Sequence, residues 1–187
     1  MVTPTTRKRM KKEERIAHIL EAARKVFINK GYSGATTIEI AQQAEISEVT
    51  LFRYFSSKQE IFLQAVEPVL TQSLEEAILS TNGLSSKEKL IAILKERIHF
   101  ISENRPLVKL VLMESQLNND LITVNIIGKI TARIKQALNE MEMPEVKKKF
   151  ILRLFMGIAL SFLFLEEEKN EETTDFAEQI VNLISIK

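Results

Sequence analysis

The sequence of 187 residues has no cysteine, five glycines, four prolines, two histidines and two aspartates. Without cysteine there is no disulfide framework, no thiol nucleophile and no thiolate metal site. The few glycines exclude collagen-like repeats, so the fold has to be held by packing alone. His18, His99, Asp120 and Asp175 stand against 23 glutamates, whereas hydrolytic and metal chemistry draws on clustered His, Asp or Cys. The best titrating set, His99 with Glu103 or Glu114, lacks a nucleophile and an orienting third group. The expectation is a protein that is not an enzyme, with no catalytic residue, no metal ligand and no cofactor. The polar, basic opening does not resemble a signal peptide, and no window reaches the roughly 20 apolar residues needed to cross a bilayer. A cytoplasmic location without a membrane partner follows as an expectation.

What is present is apolar material and charge. Hydrophobic residues make up 45% and charged residues 27% of the chain, enough for one substantial domain or a small domain fused to a medium one. Charge is divided unevenly. Residues 1–58 hold 11 Lys or Arg and 6 acidic residues, whereas residues 59–187 hold 15 basic and 19 acidic. The positive excess is densest in RKRMKK, residues 7–12, and a basic arm ahead of a helical domain is what a phosphate backbone attracts. A solvated terminus with no partner is the competing reading of the same run.

Periodicity predicts helices and no strand. Ile16, Ile19, Leu20, Ala23, Val26 and Phe27 repeat at the helical period, and Gly31 supplies a left-handed stop. Thr36 with Glu39 forms a capping box before Ile38, Ile40, Ala41 and Ala44. Ser47 caps a further short helix through Tyr54, and Ser57 with Glu60 opens a longer one in which Pro68 introduces a bend. Ser85 with Glu88 starts the next, Asn104-Arg105-Pro106 breaks it, and a short helix to about Glu114 follows. Helices over about 120–141 and 144–168 and a last one opened by Asp175 and Glu178 complete about nine in an all-α chain.

The strongest local signal is TTIEIAQQAEISEVTLFRYFSSK, residues 36–58. Two helices of about two turns, joined by a short turn and packed through Ile40, Ala41, Ala44, Val49, Leu51 and Phe55, match a helix-turn-helix. With residues 16–27 they make a three-helix unit. Its second short helix presents Glu48, Thr50, Arg53 and Tyr54, side chains able to reach base edges and phosphates. An ordinary helical corner with solvated residues has the same spacing.

The stretch ATTIEIAQQAEIS followed by TLFRYFSSKQEIF resembles the DNA-binding signature of TetR-family transcriptional repressors, over about Ala17 to Phe62. The resemblance implies an N-terminal DNA-binding domain with its basic arm over 1–58 and a larger ligand-binding and dimerisation domain over 59–187. It implies double-stranded DNA carrying a near-palindromic operator as partner, a homodimer, and repression relieved by an effector. The DNA-binding residues would be Thr36, Thr37, Ser47, Glu48, Val49, Thr50, Phe52, Arg53, Tyr54 and Lys58, with Lys58 neutralising a phosphate and Leu51 and Phe55 serving as core. Two departures stand out. Glu45 occupies the turn position where glycine is usual, and Phe52 stands where a phosphate-touching Tyr is usual, leaving Arg53 to replace that contact.

For the remainder, Ile98, Ile101, Leu110, Met113, Ile126, Ile127, Phe155 and Phe162 are the candidate lining of a pocket for a small apolar or aromatic effector. His99, Arg105, Lys109, Glu114, Gln116 and Asn119 are polar groups that could orient it. The uniformly apolar window LFMGIALSFLFL, residues 154–165, and a second apolar face near the C-terminus mark the dimer interface: Phe155, Ile158, Phe162, Leu165, Phe176, Ile180, Leu183 and Ile184. An activator or an effector-independent DNA-binding protein fits the front half equally. An all-helical protein-interaction module leaves residues 36–58 unexplained.

Overall fold

A computed structural model of the chain describes residues 11–117, 121–165 and 172–184. Among these residues there are nine α-helices and no strand: α1 Lys12–Gly34, α2 Thr37–Gln43, α3 Glu48–Leu51, α4 Lys58–Ser80, α5 Ser86–Glu103, α6 Arg105–Leu117, α7 Leu121–Asn139, α8 Glu145–Phe164 and α9 Glu172–Leu183. The all-α class is therefore as the periodicity predicts. Residues 7–10 of the basic arm, Asn119, Asp120 and the acidic run after Leu165 lie outside the described residues. Described residues through Val66 form one compact unit and those from Glu67 onward a second, with α4 contributing to both.

In the first unit, α1 carries Ile19, Ala23 and Phe27 inward, and these are fully buried with Ile40, Leu51, Ile61 and Phe62. Phe27, Tyr32 and Phe62 meet edge-on or stacked, with centroids 5.0–6.0 Å apart. Each such pair adds about 0.5–1.5 kcal/mol beyond the area it buries. Gly31 interrupts α1 at φ 72°, ψ 172°, a conformation that only glycine adopts without strain. Leu51 and Phe55 are buried, as the resemblance implies.

The start signals hold where the hydrogen bonds are local. Thr36 Oγ1 accepts from the Glu39 amide at 3.2 Å while the Glu39 carboxylate accepts from the Thr36 amide at 3.1 Å. Ser85 and Glu88 close the same reciprocal pair. Ser57 caps the Glu60 amide at 3.1 Å, but the Glu60 carboxylate reaches one residue further, to the amide and hydroxyl of Ser56. Asp175 does not open α9, which begins at Glu172. Pro68 lies inside α4 and leaves the Gln64 carbonyl without its helical donor.

In the second unit α5 packs on α8 and α9, α6 on α7, and α7 on α8. Leu90, Leu94 and Ile98 of α5, Ile126 of α7 and Ile151 of α8 are buried at the centre. Burying one such side chain contributes about 1.5–3 kcal/mol.

Candidate nucleic-acid interface and apolar cavity

The end of α2 sets the direction of α3. The Glu45 amide donates to the Gln42 carbonyl and the Ile46 amide to the Ala41 carbonyl, both at 3.0 Å, which is the paired pattern of a Schellman motif. Glu45 takes its left-handed position at φ 53°, so the turn keeps its geometry without the usual glycine. Ser47 then caps α3, accepting from the Thr50 amide at 3.1 Å and lying 2.8 Å from the Thr50 hydroxyl. Thr37 donates to the Glu48 carboxylate at 2.5 Å. After Leu51 the chain continues in hydrogen-bonded turns, with the Tyr54 and Phe55 amides both donating to the Leu51 carbonyl. The segment after Ser47 is thus one α-helical turn followed by a tighter one, shorter than the helix to Tyr54 that the pattern predicts.

Val49 is 68% and Phe52 47% exposed. Thr36, Ser47 and Arg53 are exposed, and Thr37, Glu48, Thr50 and Tyr54 are half-buried. The surface offers hydroxyls, one guanidinium and two apolar groups, a mixture able to meet phosphates and thymine methyls. Val49 therefore lies outside the core in which the pattern places it. Ile38 is also exposed rather than core, because two residues along a helix rotate it about 200° from Ile40. It adds an apolar group beside Thr37.

Lys58, expected to neutralise a phosphate, has partners within the first unit. Its ammonium donates to the carbonyls of Tyr32 and Ala35 at 2.9 and 3.0 Å and lies 4.5 Å from the Tyr32 ring centroid. Tyr32 follows the break at Gly31 and Ala35 follows the end of α1, so Lys58 ties the first turn of α4 to the approach to α2. Across the same approach Lys30 binds Glu39, and this contact, with the Thr36 bonds, holds the Glu39 carboxyl below the usual carboxylate range.

The second unit holds a cavity of about 110 Å³ that is partly open to solvent, with Leu160 at its rim 43% exposed. Its walls come from Leu70 of α4, Arg97, Phe100 and Ile101 of α5, Val108, Val111 and Leu112 of α6, Ile127, Ile130, Thr131 and Ile134 of α7, and Phe155, Met156, Ala159 and Leu160 of α8. Ile101, Ile127 and Phe155 lie where the pattern predicts. Ile98, Leu110 and Ile126 do not line it; they are buried on neighbouring faces. Met113 is 62% exposed, and Phe162 packs edge-on against Phe176 at 5.3 Å. On helices apolar over much of their circumference, the period marks burial without marking which buried face meets the void.

Arg97 is the cation that the sequence does not single out. It is buried, donates to the carboxylate of Glu96, the Ser73 hydroxyl and the Leu70 carbonyl, and lies 4.7 Å from the Phe100 ring centroid. Three of the candidate orienting groups are elsewhere: His99 is exposed beside Glu103 at 3.3 Å, Arg105 binds the Leu165 carbonyl at 2.9 Å, and Lys109 stands over Phe164. Glu114 is buried but is not among the cavity walls, and the Gln116 side chain and Asn119 lie outside the described residues. A second cleft of about 390 Å³, with charged and apolar walls, lies between α4 and α7. There Lys129 meets Glu67 at 2.6 Å and Arg133 meets both oxygens of Glu75 at 2.7 Å.

Of the candidate interface residues, Phe155, Ile158 and Phe162 are buried within the unit and are not available to a second copy. Leu165 and Leu183 are exposed, and Phe176, Ile180 and Ile184 are half-buried. The outward stripe of α8 consists instead of Val146, Phe150, Gly157, Leu160 and Phe164 at steps of three and four, interrupted by Arg153. Among the described residues no group of three or more His, Asp or Glu is placed to hold a metal, and no helix is long and apolar enough to cross a membrane.

The family model of bacterial regulatory proteins of the tetR family matches residues 19–65. Nucleoid occlusion factor SlmA of Vibrio atlanticus is 30% identical over 154 residues, covering 76% of this chain and 74% of its own. The transcriptional activator FasR of Mycolicibacterium smegmatis is 28% identical over 132 residues, 69% of this chain and 56% of its own. The chain spans between 26% and 56% of the length of several curated relatives that it matches. The crystal structure of FadR from Bacillus subtilis in complex with stearoyl-CoA superposes with a TM-score of 0.66 at 17% identity, covering 90% of this chain and 96% of that one. Joined to the capped α2–α3 turn and the nine-helix order, these matches establish that the chain belongs to the TetR family of bacterial regulatory proteins.

Proposed function

We propose that the protein is a homodimeric, sequence-specific DNA-binding transcriptional regulator, a repressor released from a near-palindromic operator by a small, largely apolar effector. The observation that carries this reading is the outward surface of α3, held at a fixed angle by Ser47 and the Glu45 turn within the matched stretch. Residues 1–58 with the basic arm act as the reading domain, and residues 59–187 as the effector-binding and dimerisation domain. Ser47, Val49, Thr50, Phe52, Arg53 and Tyr54 face the duplex, Thr36 and Thr37 meet phosphate at the start of α2, and Glu48 stands at the front of the reading helix. Lys58 positions the approach to α2.

The outward apolar stripe of α8 supports pairing with a second copy, since two-fold symmetry of the protein matches a palindromic site. The cavity supports the effector. Its 110 Å³ is less than the roughly 150 Å³ of an engineered apolar cavity that takes benzene, so the buried part of the effector is a short apolar chain, and anything larger extends through the open side. Release then requires the effector to prefer the non-binding state by several kcal/mol. Activation is the second reading, favoured by the likeness to FasR, which is named an activator.

Selection of bound duplexes from a random pool at about 0.15 M salt, where non-specific phosphate attraction is weakened, tests the proposal. A recovered near-palindrome supports it. No enrichment by folded, dimeric protein overturns it.

A further inference from the structure

We infer that the charged side of the cleft between α4 and α7 seats the anionic head of an amphiphilic effector whose apolar end occupies the neighbouring cavity. This rests on the reading of that cavity as the effector site. Ile130 belongs to the walls of both voids, so they adjoin along α7. On one side of Ile130 the lining is almost wholly hydrocarbon, and on the other it includes Lys129 and Arg133 together with Glu67 and Glu75. A molecule too large for about 110 Å³ has the larger cleft of about 390 Å³ beside it.

The charges in the cleft already hold an anion of the right shape. Arg133 grips both oxygens of the Glu75 carboxylate at 2.7 Å, and Lys129, one turn earlier on α7, holds Glu67 at 2.6 Å. A carboxylate or phosphate head presents the same acceptor geometry to the guanidinium fork. Lys129 is the more reachable cation, its side chain 50% exposed against 24% for Arg133. Arg97 is the competing seat, but its donors are engaged by Glu96, Ser73 and Leu70. An incoming head therefore exchanges places with Glu67 and Glu75, and those two carboxylates are its competitors.

Calorimetric titration of the full chain with hexanoate, hexyl phosphate and 1-hexanol tests this. Both anions should bind at least tenfold more tightly than the alcohol, and the stronger of the two identifies the head as carboxylate or phosphate. Glu67→Gln with Glu75→Gln should tighten the anions at least threefold and leave 1-hexanol unchanged. Lys129→Met with Arg133→Met should abolish the preference. If this second pair fails to fold, the glutamine pair decides alone. Binding of 1-hexanol as tight as that of the anions, or an equal effect of the glutamine pair on all three, overturns the head seat and leaves the cavity reading standing. No binding by any probe overturns both.

Discussion

Thr37 Oγ1 donates a 2.5 Å hydrogen bond to Glu48 Oε1, joining the first turn of α2 to the first turn of α3 across the reading corner. A hydroxyl bonded to a half-buried carboxylate contributes on the order of 1 kcal/mol. Thr37→Val should lower the unfolding free energy by that amount, read as a lower urea midpoint at an unchanged denaturant slope, and an unchanged midpoint would show that the bond adds nothing.

Glu45 holds a conformation that costs a side-chain-bearing residue about 1–2 kcal/mol. Glu45→Gly should raise stability by up to about 1 kcal/mol, because glycine adopts the conformation freely but gives up more chain entropy. Glu45→Val, β-branched at positive φ, should lower it. Denaturation curves of the two variants check the sign of each.

Arg53 is exposed on the α3 surface. As a phosphate contact, its replacement by Ala should weaken all duplexes about equally and reduce the salt slope of binding by about one. Loss of a single base preference, with other duplexes unaffected, would assign it to base reading instead.

Buried Arg97 is bonded to three residues of α4 and α5. Arg97→Met leaves the Glu96 carboxylate without its cation and should cost roughly 3 kcal/mol, read as a lower thermal midpoint. Arg97→Lys cannot rebuild the fork and should recover only part of the loss.

Acid should weaken the capped helix starts. The Glu39 carboxyl is held low chiefly by Lys30, Glu60 by Ser56 and Glu88 by Ser85. A carboxyl whose folded pKa lies below its unfolded one adds stability that is complete above the unfolded value and is lost as pH falls through the folded one. Stability should therefore be level through neutral pH and decline below the ordinary carboxylate range. Glu39→Gln and Glu88→Gln, measured by urea unfolding at several pH values, should flatten that decline.

Capping residues were legible in the sequence because their bonds close within three positions, as for Thr36 with Glu39 and Ser85 with Glu88. The inward turn of Lys58 was not, because its two carbonyl partners lie 26 and 23 residues away, beyond the reach of a local pattern. The cavity lining was partly legible. Ile126 and Ile127 are equally apolar, and 100° of helix rotation decides which of them meets the void. Arg97 looked like any surface cation on α5 until Ser73 and the Leu70 carbonyl were brought to it from α4.

The ring cluster of Phe27, Tyr32 and Phe62 has an optical consequence. The chain holds two tyrosines and no tryptophan, and both tyrosines belong to the first unit, Tyr32 beneath the Lys58 ammonium and Tyr54 at the end of the reading turn. Tyrosine emission from the unlabelled protein therefore comes from the reading unit alone, and the cavity-bearing unit is dark at the same wavelengths. Duplex titrations and local unfolding of the reading unit can be followed by that light, while far-ultraviolet circular dichroism follows the helices of both units. A difference between the two traces separates the melting of one unit from the other without attaching a probe.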